Sequence, residues 1–391
     1  MQLQALRQAA NQGTISLPPP CDSEGLEDIP TLKLCLKVTR QLSDFREAFV
    51  RCRNSDMVGR LMLTMEARYQ VLGASKSPTL KEYFLSRIIP NPSNEDLVRM
   101  ENYVNASLDL AKNAQVEPIS VTTIVRIANH FLQDDLAWRR SDEVPKETPL
   151  PESDLIFVSD QLPTQLEKWE HFSRHQRDME PLVHLLLTSL YFVALSPLNK
   201  YNEKIGQILM QLAFMQPSLA SPFPCLQFGH ALRTNPHLGV EERRYGWRTQ
   251  KWTPYLVYAL TTISKSLTYS MDLLRAIERL HAQTEDYLER LGMSGHHAFL
   301  EAVFTYPACR TGEFSSFTGT RRQVASHILN DLARAGILER VEDGRDRIFY
   351  HSRLIELLGS DSYAFTPLPC DVEPFELLYQ KGASAKNKAA S

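Results

Sequence analysis

The chain has 391 residues, a net charge of −3, 43% hydrophobic residues and 23% charged ones. That length suits two or three domains with ordinary cores, and the charge gives no global field toward nucleic acid or membrane, so such binding must come from a local patch. Six scattered cysteines without a C-x-x-C pair fit reduced, buried thiols and exclude a disulfide framework or a zinc site.

The first residues show no basic region followed by an apolar run, so no signal peptide is expected. Leu17–Cys21 (LPPPC) is an extended, proline-rich lead-in. From Asp28 to Arg53 apolar residues recur at helical spacing: Leu32, Cys35, Leu36, Leu42, Phe45 and Phe49. A second helix over Asp56–Leu72 has Gly73 as its C-terminal cap. Asn94 opens a helix to Lys112, and Ile119–Gln133 is another. Ser141–Ser153 lacks periodicity and reads as a loop, and Asp154–Ser159 is a short β run. Pro163 opens a helix through Phe172. Glu180–Leu195 is almost wholly apolar and predicts the central buried helix; with Thr188, Ser189 and Tyr191 inside it, it is too short to cross a membrane. Ile205–Met215 is helical, and Thr253–Leu291 is one or two long amphipathic helices.

Residues 295–358 follow another plan: three helices, then two β runs around Asp343-Gly344, a hairpin signal. That is the order of a winged helix, a helix-turn-helix variant. Its recognition helix starts near Gly319 and carries Val324, Ile328, Leu332 and Ala335 as a buried stripe. Arg321, Arg322, Gln323, Ser326, His327 and Asn330 then lie at its start or on its open face, and the wing adds Arg340, Arg345 and Arg347. These residue types hold phosphates and read base edges. Asp331, Glu339, Glu342, Asp343 and Asp346 offset much of that charge. A docking or dimerisation role stands as the alternative. The tail, Lys381–Ser391, is small, polar and expected to be disordered.

The stretch Ser196-Pro197-Leu198-Asn199-Lys200-Tyr201-Asn202-Glu203-Lys204-Ile205-Gly206-Gln207 resembles a degenerate form of the Fic-domain motif, H-P-F-x-[DE]-G-N-G-R-x-x-R. That family moves AMP from ATP onto protein hydroxyls. Pro197 and Asn202 match the motif, and Lys204 replaces its first arginine. Other segments follow the family's order. Asp135–Ser141 resembles G-x-[FY]-R, and Ile156, Phe157 and Val158 resemble the flap that holds a target peptide as an added strand. Lys251–Leu256 resembles the W-x-P-[WYF] start of a late helix. A winged helix is a common C-terminal companion in bacterial members. The resemblance spans residues 20–358.

It implies lost chemistry. Ser196 stands at the family's histidine, which deprotonates the target hydroxyl; a serine has no pKa near neutrality. Lys200 stands at the acidic residue that holds Mg²⁺ and would repel the metal, although it could pair with phosphate. Tyr201 and Glu203 replace the two glycines of the phosphate nest, and their Cβ atoms disfavour positive φ. Gln207 replaces the arginine that holds the γ-phosphate. In many members an inhibitory helix, [ST]-x-x-x-[EN]-G, pairs its glutamate with that arginine; here Leu72, before Gly73, takes the glutamate's place. Losing both charges together leaves neither one buried alone.

Simpler roles stand beside these. Ser196 reads as a helix-capping serine before Pro197. Lys200, Asn202 and Lys204 remain the candidates for nucleotide contact. His184 reads as a core histidine, and His171 with His175, four residues apart, as a solvated face in preference to a metal pair. Tyr69, Trp138, Trp169 and Trp252 read as packing aromatics.

The expected architecture is mainly α: an N-terminal extension and first helix (1–55), a helical Fic-like domain with a short flap hairpin (56–292), a winged helix (293–360) and a tail (361–391). The leading function is a catalytically inactive, cytoplasmic, Fic-like DNA-binding regulator that pairs as a homodimer and contacts no membrane. No metal or cofactor is expected. One rival is a nucleotide- or phosphate-transfer enzyme with a rebuilt site, which would require ATP with Mg²⁺. The other is an interaction module binding a protein partner at the flap.

Overall fold

A computed structural model describes residues 26–72, 78–89, 93–130, 137–139, 162–175, 179–224, 226–233, 239–293, 296–343, 346–369 and 377. The flap residues Ile156, Phe157 and Val158, together with Gly73, Arg345 and Lys381–Ser391, lie outside the described residues. The fold is mainly helical, with one three-stranded antiparallel sheet. The described residues fall into two compact units, one within Met1–Ser55, Gly59–Ala74 and Val98–Met271, the other within Asp56–Val58, Ser75–Leu97 and Asp272–Ser391.

In the first unit, α1 (Ile29–Arg51) starts at Asp28, whose carboxylate accepts from the Thr31 N–H at 2.9 Å. Its buried stripe is Thr31, Cys35, Val38, Leu42, Phe45 and Phe49, alternating steps of four and three. Leu32 and Leu36, expected on that stripe, are 36% and 61% exposed. The polar Thr31 takes the inward position because helical phase outranks side-chain polarity. The next helices are α2 (Ser55–Leu72), α3 (Leu80–Ser86), which belongs to the second unit, α4 (Glu95–Ala111) and α5 (Val121–Asn129). Then come α6 (Leu162–Arg174), α7 (Pro181–Leu195), α8 (Asn202–Met215), α9 (Phe228–Arg233) and α10 (Val240–Thr249).

Helix α7 is the predicted core helix. Glu180 caps it by accepting from the N–H groups of Leu182 and Val183 at 2.7 and 3.1 Å, and Pro181 opens it. Nearly every residue is buried, since α6 packs on one flank and α8 on the other. His184 sits there as a core histidine, its Nε2 2.8 Å from the Phe172 carbonyl, and burial lowers its pKa. Thr253–Arg290 forms one helix, α11, that turns only at Gly292. Its first part, to Met271, belongs to this unit, where Gln41 Nε2 donates to Ser264 O at 3.3 Å and Ser264 Oγ donates to Gln41 Oε1 at 2.7 Å.

The second unit contains α12 (His296–Thr305), β1 (Ala308–Arg310), α13 (Thr311–Thr318), α14 (Arg322–Arg334), β2 (Glu339–Asp343), β3 (Asp346–Tyr350) and α15 (Ser352–Gly359). The sheet order is β1-β3-β2, with Asp343 opposite Asp346 at the hairpin end. This is the predicted order of helices and hairpin, plus a three-residue strand β1 and a closing helix α15. The buried face of α14 is Ala325, Ile328, Leu329 and Leu332; Val324, expected inside, is 37% exposed. The helix begins at Arg322, and the 325/328/329/332 spacing fixes its inward face. Gly319, at φ 65°, ends α13 in the left-handed conformation that favours glycine. The imidazole of His351 caps α15, its Nδ1 accepting from the Leu354 N–H at 3.2 Å. Burial and the nearby Arg353 charge hold its pKa down to about 3, so the ring is neutral.

Among the described residues, Cys35, Cys52 and Cys309 are buried and not joined in disulfides. No described helix is long and apolar enough to cross a membrane.

Candidate functional site

The loop from Ser196 to Tyr201 is held mainly by backbone-directed bonds. Trp138 and Leu198 form an isolated antiparallel bridge. Arg139 N donates to Pro197 O at 2.8 Å, and Asn199 N donates to Ala137 O at 3.0 Å. The Arg139 side chain, 8% exposed, donates through Nε to Ser196 O at 2.9 Å and through a terminal nitrogen to Leu195 O at 3.1 Å. A buried cation is thereby spent on the last carbonyls of α7, where helix partial charge is negative. Asn202 closes the other side: its Oδ1 accepts from Leu198 N at 2.9 Å and its Nδ2 donates to Leu198 O at 2.7 Å.

Ser196 is a cap, but of the preceding helix and not of the following one. It ends α7 at φ 39°, is 2% exposed, and its hydroxyl donates to Val193 O at 2.7 Å. Strand-like pairing of Pro197 and Asn199 with Arg139 and Ala137 separates it from α8, which explains the difference. Tyr201, expected to avoid positive φ, has φ 62° and ψ 14°. The Asn202 clamp and burial of its ring at 4% exposure keep the glycine-like turn despite the Cβ. Glu203 needs no such conformation, since it lies in the first turn of α8.

The Tyr201 side chain makes no capping bond at the start of α8. Lys200 Nζ and Lys204 Nζ lie 5.4 and 4.9 Å from the Tyr201 ring centroid. Two ammonium groups stand where a divalent cation would need oxygen ligands, so the residues present do not fit Mg²⁺. A helix N-terminus between two lysines does suit an anion. Farther along α8, Gln207 Oε1 is buried without a hydrogen-bond partner among the described residues. Leu72 ends α2, 9% exposed.

One buried carboxyl on α2 escapes sequence reading. Glu66, fully buried, accepts from Gly229 N at 2.9 and 3.1 Å and from Gln70 Nε2 at 2.7 Å. Burial pushes its pKa up to about 8, against those hydrogen bonds. A lone acid inside Leu61-Met62-Leu63-Thr64-Met65-Glu66-Ala67 was the available signal.

His171 and His175 stack at 4.0 Å, with His175 Nδ1 2.7 Å from His171 O. No group of three or more histidine, cysteine or acidic residues is placed to hold a metal among the described residues.

In the second unit, Arg321 is the residue before α14, and Arg321, Arg322 and Gln323 are all exposed. Ser326 and His327 are half-buried; Asn330, also half-buried, donates to Ser326 O at 2.7 Å. Asp331, counted by sequence among the offsetting surface acids, is fully buried and 3.3 Å from Arg334. Arg347 lies exposed on β3 opposite Glu342. The fold brings Arg322 and Arg347 together in a concavity of about 610 Å³, whose walls also include Arg310, Glu313, Tyr306 and Phe317.

Residues 286–354 match the family model for the C-terminal domain of SoFic-like protein adenylyltransferases. A Fic family protein from Desulfovibrio desulfuricans is similar in structure at a TM-score of 0.47 and 13% identity, over 86% of this chain and 98% of that one. Fic-1 from C. elegans is similar at a TM-score of 0.43 and 15% identity, over 61% of this chain and 72% of that one. The family model matches residues 286–354 alone, and neither structural similarity reaches a TM-score of 0.5. The similarity to Fic proteins is thereby carried by the C-terminal domain.

Proposed function

We propose that this chain is a catalytically silent Fic protein that acts as a DNA-binding regulator through its C-terminal winged helix. The observation that carries the reading is the exposed start of α14, where Arg321, Arg322 and Gln323 stand side by side. Asp331, buried against Arg334, leaves the balance together with that arginine, so the surplus between Gly319 and Arg353 stays at two: six arginines against four acids. Arginine and glutamine at a helix start suit phosphate contact and base-edge reading. Cytoplasmic location and pairing as a homodimer on two half-sites belong to the same reading.

Silence follows from the loop. The Ser196 hydroxyl is buried and donates its proton to Val193 O, so it is turned away from any bound substrate. No metal or cofactor is assigned. The test is duplex binding by the full chain at rising salt. Affinity should fall steeply with salt, and Arg321→Ala with Arg322→Ala should weaken it and flatten the slope by about two. Absence of salt-sensitive binding at low ionic strength would sink the proposal.

A second reading has one specific observation in its favour: the start of α8, which the Tyr201 side chain does not cap, lies beside Lys200 and Lys204. On that reading the groove keeps a weak, metal-independent affinity for the phosphates of a nucleotide. Calorimetry with ATP, ADP and AMP, each with and without Mg²⁺, decides it.

A further inference from the structure

The concavity of the second unit sets exposed aromatic rings beside arginines. Tyr306 and Phe317, 39% and 42% exposed, stand in its wall with ring centroids 5.5 Å apart and planes at 80°. Large aromatics in contact with each other are ordinarily turned inward; here both stay open to solvent beside arginines. Three arginines (Arg310, Arg322, Arg347) against one acid (Glu313) leave the lining with a net charge of plus two. Glu313 is committed in part, accepting from Arg310 N at 2.8 Å. The Thr318 hydroxyl is likewise turned inward, to Phe314 O at 2.7 Å.

Aromatic faces beside cations describe a ligand that is flat at one end and anionic at the other. Inside a duplex the base faces are stacked on their neighbours and offer nothing to Tyr306 or Phe317. An unpaired nucleotide offers both parts: a base to stack and a phosphate for the guanidinium groups. An acidic peptide would meet the arginines and leave the rings uncovered. From the joint placement of Tyr306, Phe317, Arg322 and Arg347 in one cavity, we infer that this pocket binds an unpaired nucleotide at the end or at a break of a DNA duplex. The inference rests on the DNA-binding reading and sharpens its substrate: the α14 surface holds the duplex, and the pocket takes the base that leaves it.

The experiment measures fluorescence anisotropy of the full chain with three probes at low salt: a blunt duplex, the same duplex with a short unpaired tail, and poly-glutamate. The tailed duplex should bind at least about five-fold more tightly than the blunt one, the lower end of base–aromatic stacking. Phe317→Ala and Tyr306→Ala should each erase that difference and leave blunt-duplex affinity unchanged. Phe317→Trp, which preserves a stacking face, should retain it, so that a folding defect in the alanine variants is recognised. Equal affinity for blunt and tailed duplexes overturns the inference and leaves duplex recognition standing. Binding of poly-glutamate as tight as the tailed duplex also overturns it, because charge alone then suffices. Failure of every probe at low salt overturns both readings.

Discussion

Arg139 holds the carbonyl of Ser196 at 2.9 Å inside the fold, with a second bond to Leu195 O at 3.1 Å. Arg139→Lys loses the fork and leaves at least one buried carbonyl without a donor, so it should cost about 1–3 kcal/mol. All four tryptophans, Trp138, Trp169, Trp247 and Trp252, precede residue 272, so tryptophan fluorescence reports on the first unit alone. Urea unfolding followed that way should show the loss. An unchanged midpoint would mean that the guanidinium does not anchor the loop.

Gly229 meets α2 too closely for a side chain. A Cβ there would stand 2.7 Å from Tyr69 Cβ and 3.2 Å from Gln70 N. Gly229→Ala should therefore destabilise the first unit by at least about 1–3 kcal/mol through overpacking. The same fluorescence midpoint checks it, and a neutral result would show that α9 can slide off α2.

Glu66 makes the first unit sensitive to alkali. An unfolded carboxyl titrates near 4.5, whereas in the fold it titrates at about 8. Between those values the folded chain keeps a proton that the unfolded chain has released, so stability falls as pH rises through that window. Glu66→Gln preserves an acceptor for Gly229 N–H and removes the titration. The urea midpoint of the variant, taken from pH 5 to 8, should decline less than that of the parent; parallel curves would exclude Glu66 as the source.

His351 gives the second unit the opposite dependence. An unfolded histidine titrates near 6.5, and this one at about 3, so the unfolded chain binds the extra proton between them. Stability is then lost as pH falls from 6.5 toward 3. The acceptor that caps α15 is the atom that protonation would occupy. His351→Asn keeps a capping oxygen and does not titrate. Calorimetry should show a smaller acid shift for the variant, and an equal shift would point to another group.

Transfer of label from α-labelled ATP, to the chain itself or to lysate proteins, should be absent with Mg²⁺ or Mn²⁺. Ser196→His alone should not restore it. The position is 2% exposed and turned toward α7, so the imidazole has no room to reach a bound hydroxyl. Measurable label on either protein contradicts the silent-groove reading.

Strong, local signals were legible before any coordinates. The apolar run of α7, the helical spacing along α1 and the hairpin between β2 and β3 each act over a few residues. Short elements were not legible, because β1, α9 and α10 are set by their neighbours more than by their own periodicity. Val324 was misplaced for a similar reason: the phase of α14 is fixed by where the helix starts. The loop's side-chain losses could be read directly from Ser196, Lys200 and Gln207. Its backbone could not, since the Asn202 clamp and the buried Tyr201 ring act through tertiary contacts. The meeting of Arg322 and Arg347 with Tyr306 and Phe317 joins residues from three elements and one connection, and no spacing along the chain announces it.

The left-handed turn at Tyr201 has a consequence for kinship. A motif written as letters asks for glycine there and passes over this chain. The torsion survives because an asparagine amide and an arginine fork hold the curve from outside. Loops of this shape are better sought by those two buried anchors than by glycines, because anchors that grip backbone groups leave the side chains between them free to vary.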